Sequence, residues 1–307
     1  VRVLFYGTPD FAVPSLRALL GEGFDVVGVV TRPDKPTGRH RSTATPSPVK
    51  AAALAEDLPV LEPERPSAPG FLDQVRSLTP DCGVVIAYGH ILPATLLGVP
   101  RLGHVNVHAS LLPRLRGAAP IERAILEGEP ETGITVMQMD AGMDTGPILR
   151  QAATPILADE TGGELRARLS ELGALALVEA LTLLDEGGLA PRPQDDAHAS
   201  FAPKLTSEEE RLHWTQGAAD VARRIRAFDP RPGAWCACRG QPLKLFGARS
   251  VEGSGAPGAV LAAGDTLRIA CGEGAVEVTD VQPSGKGRMT ARAFVNGRRV
   301  AAGDVLA

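Results

Sequence analysis

The chain has 307 residues, 44% of them apolar and 22% charged, a composition that suits a folded protein of two domains and excludes a disordered or fibrous chain. No apolar run is long enough to cross a bilayer and the first residues form no signal peptide, so the expected location is the cytoplasm. Four cysteines without framework spacing exclude a disulfide scaffold. The net charge of −4 is uneven, with 14 Lys/Arg against 11 Asp/Glu from Thr206 onward and 18 against 25 before it, so a basic tail on an acidic body points to a polyanionic partner.

In chain order, Val1–Tyr6 is a β-rich run ending at Gly7, followed by a helical stretch to about Leu20 and a second buried strand at Asp25–Thr31. A long, proline-bearing loop from Pro33 to Pro46 exceeds a simple connector. Helical segments around Pro48–Glu56, Gly70–Ser77 and Pro120–Glu127 alternate with apolar strands at Cys82–Ala87 and His104–His108. Such alternation predicts a parallel sheet with helices on both faces, with ligands bound at the carboxyl ends of its strands. The Gly7-Thr8-Pro9-Asp10 turn lacks the spacing of a dinucleotide loop, and Pro9 removes a backbone donor. Glu164–Asp185 carries leucines near helical spacing and stops at Gly187-Gly188. The polar segment Leu189–Lys204 reads as a linker. An arginine-rich helix at Ala218–Ala227 precedes short β-runs at Leu243–Phe246, Ala259–Leu261, Thr266–Ala270 and Ala275–Val281, a spacing that predicts a small antiparallel barrel. The expected organisation is therefore a Rossmann-like α/β catalytic domain over 1–187, a linker over 188–206 and a β-barrel domain over 207–307. Cys236 and Cys238 read as two thiols on one strand face and not as a zinc site, because no second ligand pair follows.

Asn106, His108 and Asp144 are the candidate catalytic residues. Asn106 and His108 are two apart on a strand and share a face. Asp144 lies between Gly142 and Gly146, where the backbone is free to bring a carboxylate against an imidazole. An amide donor, a titratable ring and a carboxylate suit acyl or formyl transfer, since they can stabilise an oxyanion and manage protons. Lys286, Arg288, Arg292, Arg298 and Arg299 fall in a stretch without an acid between Gln282 and Gly303, a basic face suited to an RNA backbone.

The strings Asn106-Val107-His108, Ser110-Leu111-Leu112-Pro113, Arg116-Gly117-Ala118-Ala119-Pro120-Ile121 and Asp140-Ala141-Gly142-Met143-Asp144-Thr145-Gly146 resemble the formyltetrahydrofolate-dependent formyltransferases. The likeness extends over nearly the whole chain, from Gly7-Thr8-Pro9-Asp10-Phe11 through Ala87-Tyr88-Gly89 to Gly285-Lys286-Gly287-Arg288-Met289. It implies an OB-like C-terminal domain and transfer of a formyl group from 10-formyltetrahydrofolate to the amino group of methionine on initiator tRNA, by a monomer needing no metal. By the same resemblance, Asn106 and His108 meet the formyl oxygen and Asp144 handles protons. Ser110, Leu111, Leu112 and Pro113 contact the folate, with Ala87–Pro93 lining its pterin side. Arg39, in the inserted loop, approaches the acceptor end of the tRNA. Arg114 and Arg116 are candidates for the folate tail or the RNA.

Overall fold

The first strand, Arg2–Gly7, is buried from Val3 to Tyr6, as expected of a β-branched and aromatic run covered on both faces. It lies beside the central strand, Cys82–Ile86, of a seven-stranded sheet in the order Ile148–Pro155, Glu131–Gln138, His104–His108, Cys82–Ile86, Arg2–Gly7, Asp25–Val30, Val60–Leu61. The computed structural model describes residues 1–37, 43–297 and 299–307. Two units form, each drawing on separated stretches of chain: the first takes Val1–Gly117, Thr132–Thr154 and Ala167–Phe201, and the second takes Ala118–Glu131, Pro155–Arg166 and Ala202–Ala307.

In the first unit the central strands pair in parallel. The chain runs outward from Arg2–Gly7 in one direction, then returns to Cys82–Ile86 on its other side. That reversal opens a crevice at the carboxyl ends of these two strands. Beyond His104–His108 the sheet turns antiparallel, with Asn106 opposite Met137 and His108 opposite Thr135. The hairpin of Glu131–Gln138 and Ile148–Pro155 is absent from the sequence-based expectation, and it makes the sheet mixed. Leu4, Tyr6, Val85, Tyr88 and Leu96 are buried together in one core cluster. From Ala167 the helix Gly162–Asp185 packs on the sheet through Gly173, where an added Cβ would stand 3.1 Å from Val107 Cγ1. Ser170 Oγ also donates to the carbonyl of Phe11 at 2.6 Å.

The long loop after Asp25–Val30 carries a short antiparallel ladder, Lys35–Thr37 against Thr43–Thr45. Its base is fastened by Lys50, whose ammonium donates to Asp34 Oδ2 at 2.6 Å and Glu62 Oε2 at 2.7 Å. These bonds, to Asp34 first, hold the Lys50 pKa above its usual value. Among the described residues of the whole chain, no helix is long and apolar enough to cross a membrane.

The second unit is built on an antiparallel sheet in the order Trp235–Cys238, Gln241–Val251, Ala275–Pro283, Leu267–Ala270, Val260–Ala263, with Met289–Thr290 added beside Ala275–Pro283. Both outer edges are covered by one segment. Val305 bridges Ala259, Leu306 bridges Cys238, and Leu306 N donates to Gly258 O at 2.9 Å. The curled sheet thereby closes into a small barrel. Val221, Ala222 and Ile225 of the helix Ala218–Ala227 are buried in its core with Leu245, Ile269 and Val278. The helix Pro120–Glu127 belongs to this unit, where Arg123 forks onto both carboxylate oxygens of Glu209 at 2.5 and 3.0 Å. Cys236 and Cys238 are buried free thiols on one strand.

Candidate active site

The strand His104–His108 sets the site. His104, Asn106 and His108 alternate with Val105 and Val107, so the three polar residues share a face. The first has a structural role. The His104 ring lies over Gly83 of the neighbouring strand, so closely that an added Cβ there would come within 2.1 Å of it. It also contacts Tyr6, with ring centroids 5.6 Å apart. Its Nδ1 faces the carbonyl of Leu97 at 3.4 Å, its Nε2 is buried without a partner among the described residues, and burial pulls its pKa down to about 4. It is thus a neutral core ring.

Asn106 is half-buried, and its Oδ1 has no hydrogen-bond partner among the described residues although water cannot reach it. A buried carboxamide oxygen left unpaired is uncommon in folded proteins and marks a group that the fold does not consume. His108 is fixed by its other neighbours. Its Nε2 stands 2.9 Å from the carbonyl of Leu115. A carbonyl only accepts, so this contact places a hydrogen on Nε2 and leaves Nδ1 to face the Asp144 side. Nδ1 lies 3.6 Å from Asp144 Oδ2.

Asp144 is held in a left-handed backbone conformation, φ +57°, which aspartate tolerates better than most residues but which still needs support. The backbone N–H of Gly117 donates to its Oδ2 at 2.8 Å. Its carbonyl accepts from Gln194 Nε2 at 2.8 Å, as does that of Gly146. Upstream, Asp140 closes the loop on itself, accepting from Gly142 N at 2.9 Å and Thr145 Oγ1 at 2.8 Å.

The turn Ser110–Pro113 follows directly. Ser110 is buried and its Oγ donates to the carbonyl of Arg114 at 2.6 Å. Thr135 Oγ1 donates to Ser110 O at 2.7 Å and accepts from Leu112 N at 3.0 Å, while Gln151 Nε2 donates to Leu112 O at 2.9 Å. Leu112 packs with Met137 and Ile148. The turn is therefore a rigid apolar shelf with its polar backbone tied down beneath it. Of the segment Ala87–Pro93, Tyr88 is buried and Ile91 is 91% exposed. Leu115 is buried at φ +58° and serves through its carbonyl.

Arg116 departs from the expectation of a folate or RNA contact. Its side chain is 5% exposed, and it is spent on Gln194 Oε1 (3.1 and 2.8 Å) and Asp196 Oδ1 (2.8 Å). In the second unit Arg288 pairs with Asp229 and Asp280, and Arg292 with Asp265, so these two cations of the basic stretch are partly neutralised. Arg39, Arg41 and Arg298 lie outside the described residues. Gln194 and Ser200 were not singled out by sequence reasoning. Both sit in the stretch read as a linker, and Ser200 Oγ accepts from Leu115 N at 2.9 Å.

Residues 1–181 match the formyl transferase domain and residues 204–299 the formyl transferase C-terminal domain. The methionyl-tRNA formyltransferase of Pseudomonas paraeruginosa is 47% identical over 309 residues, covering 100% of this chain and 99% of its own. That of Citrifermentans bemidjiense is 44% identical over 307 residues, covering 100% and 96%. Among solved structures, HypX from Aquifex aeolicus in complex with tetrahydrofolic acid has a TM-score of 0.68 at 21% identity, covering 97% of this chain and 47% of that longer one. The sugar 3N-formyl transferase WlaRD, solved with dTDP and 5-N-formyl-THF, has a TM-score of 0.69 at 17% identity, covering 94% and 99%. At these identities the two structures speak for the fold.

Proposed function

The chain belongs to the methionyl-tRNA formyltransferase family, and on that premise we propose that it transfers a formyl group from 10-formyltetrahydrofolate to the α-amino group of methionine on initiator tRNA, using Asn106, His108 and Asp144. The observation that carries the roles is the approach of His108 Nδ1 to Asp144 Oδ2 at 3.6 Å, two residues along a strand from Asn106, whose Oδ1 is unpaired among the described residues.

The neutral amine attacks the formyl carbon, forming a C–N bond and placing negative charge on the formyl oxygen. Asn106 donates its amide N–H to that oxygen, as does His108 through Nδ1–H, its Nε2–H being held by the Leu115 carbonyl. Donors fixed before reaction are the most effective stabilisers of such charge, because they need no reorganisation. Asp144 takes the proton lost by the attacking nitrogen. The tetrahedral centre then collapses, the bond to the folate nitrogen breaks, and that nitrogen regains a proton through the His108–Asp144 pair. The products are N-formylmethionyl-tRNA and tetrahydrofolate. Ser110–Pro113 supplies a rigid shelf against which the folate is oriented.

The reading extends to a cytoplasmic monomer with a catalytic domain over 1–187, a linker over 188–206 and a tRNA-binding barrel over 207–307, and to Arg39 as a contact of the tRNA acceptor end. The test is formyl transfer to Met-tRNA, with glycinamide ribonucleotide and an amino sugar nucleotide as alternative acceptors. Met-tRNA is the expected sole efficient acceptor, and His108→Ala should lower turnover about 100–1,000-fold. Near wild-type turnover in that variant would overturn the assigned chemistry.

A further inference from the structure

We propose that Gln194 is a positioning residue for the catalytic carboxylate, acting by locking the backbone of the Asp144 loop. Its side-chain amide is used at both ends. Oε1 accepts from Arg116 Nε at 3.1 Å and Nη2 at 2.8 Å, and Nε2 donates to the carbonyls of Asp144 and Gly146, each at 2.8 Å. A guanidinium only donates and a carbonyl only accepts, so the amide has one orientation and cannot flip without breaking all four contacts. The buried Arg116 is fixed in turn by Asp196 Oδ1 at 2.8 Å, and its backbone N donates to Ser200 O at 2.9 Å.

Asp144 is consequently clamped from two directions that share an origin. The N–H of Gly117, the residue after Arg116, holds its carboxylate at 2.8 Å, and Gln194, docked on the Arg116 side chain, holds its carbonyl. The clamp acts on a residue in a left-handed conformation, between glycines, next to the well-exposed Met143. That backbone reverts to commoner conformations unless its surroundings over-determine it. At 3.6 Å the approach to His108 is already beyond hydrogen-bond reach, and further misplacement by about 1 Å costs roughly 100-fold in rate. The polar backbone of the folate shelf is tied down by Thr135 and Gln151, and Gln194 reaches that shelf only through a weak 4.0 Å contact with Met137 Sδ, so the larger effect falls on the chemical step.

This inference rests on Asp144 being the catalytic carboxylate, and the test separates the two ideas. Gln194→Met removes all four contacts at similar length. Gln194→Glu keeps the pairing with Arg116 but replaces the donor to the two carbonyls with an acceptor. Both variants are assayed in the full-length protein for kcat, KM toward 10-formyltetrahydrofolate and Tm. Both should lose about 10–100-fold in kcat with KM changed by less than about threefold. Gln194→Glu should lower Tm less than Gln194→Met, because it keeps the pairing with Arg116 while losing the donor to the two carbonyls. The same pair is then made in an Asp144→Asn background, where substituting Gln194 should cost little more, since groups acting through one another are not additive. Wild-type kcat in Gln194→Glu, or a kcat loss that follows Tm across both variants, overturns the proposal. An equal fold-loss in the two backgrounds also overturns it. Near wild-type turnover of Asp144→Asn alone would instead overturn the site assignment. Should Gln194→Met fail to fold, Gln194→Glu still decides.

Discussion

His104 should make the strand His104–His108 acid-labile, and replacing it should remove that lability. The ring is 1% exposed, packed on Gly83 and Tyr6, and its pKa is lowered from 6.5 to about 4 by burial. The sign follows from which state takes up the proton. Below about pH 6.5 the unfolded chain protonates this histidine, whereas the folded chain keeps it neutral until about pH 4. Stability is therefore constant above that window and falls as pH drops through it. At about 1.4 kcal/mol per pKa unit, the loss attributable to His104 is about 2 kcal/mol at pH 5 and about 3 kcal/mol near pH 4. His104→Phe retains the ring contact and has nothing to titrate. The stability difference between pH 7.5 and pH 5 should then be about 2 kcal/mol larger in wild type than in the variant. Both tryptophans, Trp214 and Trp235, belong to the second unit, so fluorescence would miss the event. Hydrogen exchange over residues 104–108 reads it directly. Equal pH responses in the two proteins, within about 0.5 kcal/mol, would refute the assignment of His104 as a buried neutral ring.

Two further outcomes test other parts of the molecule. Thr135→Val removes the hydroxyl that ties Ser110 O and Leu112 N. A buried N–H left unpaired costs about 1–3 kcal/mol, so KM for 10-formyltetrahydrofolate should rise about tenfold or more with kcat nearly preserved, as steady-state kinetics would show; an unchanged KM would separate this shelf from folate binding. Arg288→Met strands the Asp229 carboxylate, which is 5% exposed and otherwise bonded only to the Gly247 N–H at 3.0 Å among its described contacts. Breaking such a pair should cost about 2–4 kcal/mol, visible as a lower midpoint of tryptophan fluorescence on denaturation, and Asp229→Asn in the same chain should recover part of it.

The apolar runs at Val3–Tyr6, Cys82–Ile86 and His104–His108 were legible because strands covered on both faces leave a continuous signal. The hairpin of Glu131–Gln138 and Ile148–Pro155 was not, since its outer strand is largely exposed past Leu149 and reads as polar chain. In the barrel, the eleven-residue strand Gln241–Val251 showed only as Leu243–Phe246. Gly247, at φ +60°, interrupts the apolar run, and the Thr279 side chain occupies the space a Cβ would need. The pairing of Asn106 with His108 was legible from period-two spacing, and the approach of Asp144 from its glycine-flanked loop and the family pattern. Arg116 was misjudged because arginine is usually a surface residue, and only tertiary structure shows the partners that allow it to be buried. Gln194 left no local trace: its side-chain contacts among the described residues are to positions 48 to 78 away, and no periodicity encodes such a bond.

Those sequence separations bear on how the enzyme matures. His108 depends on the Leu115 carbonyl, Leu115 on Ser200, and the Asp144 loop on Gln194. During synthesis the sheet strands that carry Asn106 and His108 emerge long before residues 194–200 can dock on them. Non-local pairings of this kind form late, because loop closure must be met before they are rewarded. A ribosome-bound chain arrested before residue 194 would therefore hold a folded sheet with the Asp144 loop unclamped until the stretch after residue 193 has joined it.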